Sequence, residues 1–422
     1  MQTAPRTHRS TRALWRLATA LIVLGACGEG TTEPIAPLDS LPRVLTAAES
    51  NVAGASNAFG FDLLRELSRA AAGNENVIVS PLSVSLALGM ALNGAQNETF
   101  AAMRQALRLP EQSLDDLNPA YRSLIELLAG LDPNTRFDIA NSIWYREGLP
   151  VYPEFLDRGR DYFFAEVSPL DFASPSAVGV INDWVSEQTN GKIPTILDQI
   201  DLDEVMFLIN AIYFNGTWTV AFDPRDTRDD TFRLADGSTV PVRMMHLRDS
   251  LQYATGPGFE ALDLRYGRGA FTMTILLPHE GGDLDAIVEA LGAESWSGAT
   301  AAFAEREVDL AFPRLRLEWS KSLVDALTAL GMEIAFDRNR ADFYGIADVA
   351  PERLFISRVD HKTFLEVDEA GTVAAAVTNV GVGVTCACGP VSFRVDRPFL
   401  LAIRERFSGT ILFLGKVTDP AA

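Results

Sequence analysis

Ten consecutive residues, Val205-Met206-Phe207-Leu208-Ile209-Asn210-Ala211-Ile212-Tyr213-Phe214, hold a single polar side chain, Asn210. Such an apolar run is typical of a β-strand covered on both faces, so the chain must supply apolar layers on either side of it. It has the means: 422 residues, 47% of them hydrophobic and 22% charged. That length suffices for one large domain or two to three ordinary ones, and the composition is that of a folded protein. Asn210 then needs a partner, because a buried amide without one costs about 1 to 3 kcal/mol. His361 poses the same question. The alternating face Val359, His361, Thr363, Leu365, Val367 turns its imidazole inward. Each can be read as a satisfied core polar group, and the pair suggests that they satisfy each other.

The N-terminus reads as a processing signal. Arg6, Arg9, Arg12 and Arg16, with no acid, precede an apolar stretch from Leu17 to Ala26. That is the pattern of a secretory leader over residues 1–26. The stretch falls short of the ~18 to 20 residues that span a bilayer. Its end, Leu24-Gly25-Ala26-Cys27, resembles a bacterial lipobox, which makes Cys27 the expected site of lipidation and the cell envelope the expected location, otherwise the extracellular space. Residues 27–50 then read as a tether, rich in Gly, Thr, Pro, Ser and acids, and 51–422 as one domain with no repeat or internal linker. Removing the leader takes the net charge from −20 to −24. Such a field repels phosphate, so nucleic acid is excluded as a partner, and the membrane is reached only through the lipid.

With Cys27 consumed by lipid, Cys386 and Cys388 are too close for an unstrained bridge, so the fold must stand on its core. Cys-x-Cys with no histidine or second pair nearby in sequence is a poor metal motif, and neither metal nor cofactor is expected. Along the chain, Phe59, Leu63 and Leu67 recur at helical spacing, and Ser83 to Leu92 follows a Ser-Pro-x-Ser helix start. Pro398–Ile403 and Thr410–Leu414 read as a hairpin closed around Phe407-Ser408-Gly409. Helices first and strands later predict an α+β fold.

The segment from Glu369 to Gly389 is the most informative. Read with a period of two, one face is Thr372, Ala374, Ala376, Thr378, Val380, Val382, Val384. The other is Val373, Ala375, Val377, Asn379, Gly381, Gly383, Thr385. The first face can enter an apolar core anywhere along its length. The glycines weaken the segment as a preformed strand.

This segment resembles the hinge and reactive-centre loop of the serpins, a family of suicide protease inhibitors, and other motifs extend the resemblance over nearly the whole mature chain. Asn76-Val77-Ile78-Val79-Ser80-Pro81-Leu82-Ser83 is similar to the family's start of helix B, and Leu208 to Trp218 to its central strand. Ile181-Asn182-x-Trp184-Val185 with Thr189-x-Gly191-Lys192-Ile193, His361-Lys362, Glu369-x-Gly371-Thr372 and Asp396-Arg397-Pro398-Phe399 complete the set. The resemblance implies a serpin fold: a large mixed sheet A, two smaller sheets, eight or nine helices and an exposed loop at about 370–390. It implies a hinge of Glu369, Gly371, Thr372, Ala374, Ala375 and Ala376. It further implies a shutter of Ser80, Pro81, Ser83, Asn210 and His361, and a breach of Trp218, Arg314 and Glu369, with Arg314 and Glu369 paired.

The implied activity is inhibition of a serine-type endopeptidase. The protease cleaves the loop to an acyl-enzyme, and the freed hinge inserts as a new strand before hydrolysis. About fifteen residues at ~3.3 Å each then carry the protease ~50 Å. The native fold must be metastable, most simply a monomer, with loop–sheet polymers as its hazard. Val373 and Val377 depart from the usual acid and alanine, but on the face that does not enter the core. The family's loop length points to Thr385–Cys386 as the reactive bond, or Cys386–Ala387 if the loop is one residue longer. Either suits an elastase- or subtilisin-like protease, with a papain-like cysteine protease as the alternative. A non-inhibitory serpin-fold binding module or chaperone is the other reading. An enzyme is not expected: His246, His279 and His361 are the histidines beyond the leader, and neither Gly-x-Ser-x-Gly nor His-Glu-x-x-His occurs.

Overall fold

Four helices dominate the first part of the chain: α1 (Ala47–Ala70), α2 (Pro81–Leu92) after the short strand β1 (Val77–Val79), α3 (Asn97–Ala106) and α4 (Leu114–Ala129). The computed structural model describes residues 37–201, 203–372 and 389–421. Strands and helices then alternate through β2 (Thr135–Arg146), α5 (Pro153–Phe163), β3 (Ala165–Leu170), α6 (Ala177–Gln188) and β4 (Met206–Thr217). The remainder is richer in strands: β5 (Arg228–Arg233), β6 (Thr239–Gly256), β7 (Phe259–Tyr266), β8 (Phe271–Pro278), β9 (Ala304–Pro313) and β10 (Leu315–Ser322). Between β8 and β9 lie α7 (Leu284–Ala290) and α8 (Ala293–Ala301). A ninth helical segment, α9, runs through Val324–Leu327, Thr328–Met332 and Glu333–Phe336 with a kink at Gly331, where φ is +101°. The last strands are β11 (Asp360–Val367), β12 (Gly371–Thr372), β13 (Val391–Arg394), β14 (Phe399–Glu405) and β15 (Ile411–Val417).

These strands form three sheets, one large and two smaller, in an α+β architecture. Nine strands make the large mixed sheet, in which β13 runs parallel to β9. The expected terminal hairpin is β14 with β15, closed around Phe407-Ser408-Gly409 with Gly409 at φ +73°. The four-stranded sheet has the order β12-β4-β2-β3, and β10 and β11 form the two-stranded one. Among the described residues no ladder joins β4 to β11. The turn into β12 and the antiparallel pairing of β12 with β4 mean that β4 and β11 run in the same direction, their N-terminal ends forming a common foot.

β4 is covered on both faces, as its composition demands. Met206, Leu208, Ile212 and Phe214 turn toward the main core, and Phe207 and Ile209 toward a second cluster with Trp144, Trp184 and Val185 beneath α6. Helix α2 lies in the main core and is buried on nearly every side, which an apolar helix without a polar face requires. Its start is packed tightly: a Cβ on Gly60 of α1 would stand 2.4 Å from the Pro81 ring.

The tether assigned to residues 27–50 ends earlier than expected, and the folded domain begins well before residue 51. The Leu38 amide donates to the Arg268 carbonyl at 2.8 Å, Arg406 donates to the Leu38 carbonyl at 2.7 Å, and Leu38 and Leu41 pack on the core. Thr46 and Glu49 form a capping box that starts α1 at Ala47, and Arg43 binds the buried Glu49 carboxylate at 2.8 Å. Residues 1–36, with Cys27, lie outside the described residues. No helix among the described residues is long and apolar enough to cross a membrane.

Candidate functional site

Two polar clusters flank an opening between β4 and β11. The lower one gathers the residues expected at the shutter. Ser80 caps α2, its Oγ accepting from the Ser83 amide at 3.4 Å and donating to the Leu412 carbonyl of β15 at 2.6 Å. The Ser80 amide donates to Nε2 of His361 at 3.0 Å. Ser83 Oγ donates to Asn210 Oδ1, and Asn210 Nδ2 donates to Asn141 Oδ1 at 2.6 Å. His361 and Asn210 are therefore connected through Ser80 and Ser83 at the head of α2 rather than bonded to each other. Their strands stand apart, and the helix N-terminus spans the distance. Pro81, at the first position of that helix, needs no amide hydrogen there and presets the turn.

Burial pushes the His361 imidazole down to about 4. It is thus neutral near pH 7, with Nε2 free to accept from Ser80 and Nδ1 carrying the proton. Asn141 was not evident in the sequence. Its signal is the one that marks Asn210, a lone amide in a strand with a buried face, and β2 pairs Asn141 directly with Asn210.

The upper cluster gathers the residues expected at the breach and the first residues of the expected hinge. Arg314 donates from Nε and Nη2 to Oε1 of Glu369, at 2.9 and 2.7 Å, and Thr227 Oγ1 donates to the same oxygen. Burial raises the Glu369 carboxyl, but these hydrogen bonds outweigh it and hold the group below its ordinary value. The pair is more than a surface contact, since the Glu369 side chain is only 8% exposed, against 45% for Arg314. Trp218 Nε1 donates to the Asp368 carbonyl at 2.9 Å, and its ring stacks on Tyr266 at 4.3 Å between centroids. The phenol of Tyr266, pushed up by burial, lies 2.7 Å from Thr372 Oγ1. Thr227 and Tyr266 belong to no motif and lack even the signal that Asn141 carries.

Asp368 and Gly371 exchange backbone hydrogen bonds, 2.9 and 3.3 Å, around a tight turn at Glu369-Ala370. That turn lays Gly371 and Thr372 along β4, paired with Thr217 and Gly216. The approach is so close that a Cβ on Gly371, where φ is +149°, would meet the Gly216 carbonyl oxygen at 2.1 Å. Thr372 is buried and points toward the core with Gly216, on the face that the alternation assigns to it. Below lies a cleft of about 990 Å³, bordered by β4 from Met206 to Asn210, by Val359 to His361 and by Val84, Ala87 and Leu88 of α2. Ala374, Ala375, Ala376, Thr385 and Cys386 lie outside the described residues. Among the described residues no group of three His, Cys, Asp or Glu could hold a metal ion.

A strand that starts beside β4, an opening beneath it and polar clusters at both levels form one arrangement. The family model described as Serpin (serine protease inhibitor) matches residues 54–420. The chain is 33% identical to an uncharacterized serpin-like protein of Thermococcus kodakarensis, over 97% of this chain and 99% of that one. It is 31% identical to leukocyte elastase inhibitor A of Mus musculus, over 87% and 99% of the two. Among solved structures, that of the thermophilic serpin tengpin in its native state aligns with a TM-score of 0.81 at 29% identity, covering 90% of this chain and 97% of tengpin. The chain belongs to the serpin family.

Proposed function

We propose that this serpin is a suicide inhibitor of serine-type endopeptidases, elastase- or subtilisin-like, acting by loop cleavage, acyl-enzyme trapping and strand insertion. One observation carries the reading: Gly371 and Thr372 already pair with β4 at the head of the opening between β4 and β11. If the register continued, Ala374 would come opposite Phe214, Thr378 opposite Asn210 and Val382 opposite Met206, the first residue of β4. The residues turned toward α2 would then be Thr372, Ala374, Ala376, Thr378, Val380 and Val382, all small or apolar and without a charge to desolvate. The twelve residues of β4 give such a strand a path of about 40 Å. The rest of the expected displacement comes from residues running past its foot toward Thr385–Cys386.

The small, uncharged residues about that bond favour a protease whose primary pocket is apolar, which agrees with similarity to an elastase inhibitor. We infer from the leader-like and lipobox-like sequence that the protein acts outside the cytoplasm, held to the envelope through an acylated Cys27 or otherwise secreted. The test is incubation with subtilisin and with an elastase, followed by boiling in detergent. A covalent complex of summed mass is expected, with a short C-terminal peptide released at Thr385–Cys386. Cleavage at that bond without any complex would leave a serpin-fold substrate or binding module.

A further inference from the structure

The two glycines in the sequence between Thr372 and Gly389 stand at 381 and 383, and both belong to the half of the period-two alternation that excludes Thr372. Glycine is a poor strand residue, and nothing in the core-facing pattern calls for it there. The foot of the opening supplies a reason. Arg358, two residues before β11, reaches across to the β4 side: its guanidinium carbon lies 5.1 Å from the centroid of the Phe207 ring, and Nη2 donates to the Gln199 carbonyl at 2.9 Å. Nε lies 2.9 Å from Glu204 Oε1 and 3.3 Å from Asp360 Oδ2, yet is buried without a directed hydrogen bond, so these contacts are between charges. Glu204 is itself fixed, accepting from the Asp201 amide at 2.8 Å and from Ser357 Oγ at 3.2 Å. Because Phe207 belongs to the cluster beneath α6, the bridge crosses on the outer face, away from α2.

In the register of β12, an inserted strand would bring residue 381 opposite Phe207 and residue 383 opposite Val205, their side chains on that same outer face. Paired residues on one face stand side by side. A side chain at 381 would therefore fill the space between Phe207 and β11 that the Arg358 guanidinium occupies. We infer that Arg358 is a strap across the foot of the opening, a positioning residue under which the strand must pass, and that Gly381 and Gly383 are the residues it admits. The inference rests on the strand-insertion reading and adds a specificity element to it.

The experiment compares wild type, Gly381→Val, Arg358→Ala and the double variant. Each is treated with subtilisin or elastase, whichever gives the wild-type complex, and each loop-nicked product is melted. Gly381→Val is expected to lower the ratio of covalent complex to cleaved product about tenfold, the effect of overpacking on a competing rate, and to shrink the melting-temperature gain on nicking. Arg358→Ala alone should keep the wild-type ratio or raise it, and in the double variant should restore both readouts. A Gly381→Val protein indistinguishable from wild type, or a double variant as defective as the single, overturns the strap while leaving the inhibitor reading intact. A wild-type protein that neither forms complex nor gains stability on nicking overturns both.

Discussion

His361 shows how one side chain ties the sheet to acid. Its ordinary value in an unfolded chain is near 6.5, and burial brings it to about 4 in the folded protein. Between these values the unfolded chain takes up a proton that the folded one refuses, so stability is fully present above about pH 6.5 and is lost as pH falls toward 4. The total is about 3 kcal/mol, a large share of an ordinary folding free energy. Protonation also removes the acceptor that holds the Ser80 amide, loosening β11 from the head of α2. We expect the urea midpoint of wild type to fall between pH 7 and 4.5 more steeply than that of His361→Gln, which has no titrating ring. Equal slopes would place the acid sensitivity elsewhere. Asn210 sets a neutral counterpart. It has partners on either side, Ser83 and Asn141, so its amide escapes the penalty that an unpaired group in this strand would incur.

The segment expected to be the hinge begins in β12. Thr372 sits in the core-facing position of β12, beside Gly216 and against the Tyr266 phenol. Thr372→Arg would force a guanidinium into that buried site, and the short strand should leave β4 rather than accept it. The expected protein is still folded, is cleaved by subtilisin or elastase as a plain substrate, and gives no detergent-stable complex; undiminished complex formation would refute the role of the hinge. How far such elements can be read from sequence depends on where their information resides. β4, α2 and the β14–β15 hairpin were legible because apolar runs, a Ser-Pro cap and a glycine turn are local signals. The start of α1 was equally local, in Thr46 and Glu49, but the capping box was hidden inside a stretch whose Pro, Gly and acid content reads as a linker. Asn141, Thr227 and Tyr266 were not legible. Their partners Asn210, Glu369 and Thr372 are 69, 142 and 106 residues away, and only the sheet brings them together.

For the whole molecule, the decisive feature is that, among the described residues, β4 and β11 belong to different sheets. Among the described residues, the β4 edge that faces β11 is paired over two residues, Gly216 and Thr217. Unpaired strand edges are templates for pairing. On the strand-insertion proposal, the chain's own segment beyond Thr372 would complete the ladder, and the same segment of another molecule could do so too, for its alternating pattern suits either. The two outcomes compete, and cutting the loop should decide between them, because a freed segment can reach its own opening without straining the other connection. Nicking between Thr385 and Cys386 is therefore expected to raise the melting temperature by about 10 °C or more, several kcal/mol on a chain of this size. It should also suppress the polymerisation expected of the intact protein. Heated just below its own transition, the intact protein should form ladders visible on a native gel, while the nicked protein stays monomeric under the same treatment. If both polymerise alike, the β4 edge is still open after cleavage, and the energy needed to trap a protease is not stored in this sheet.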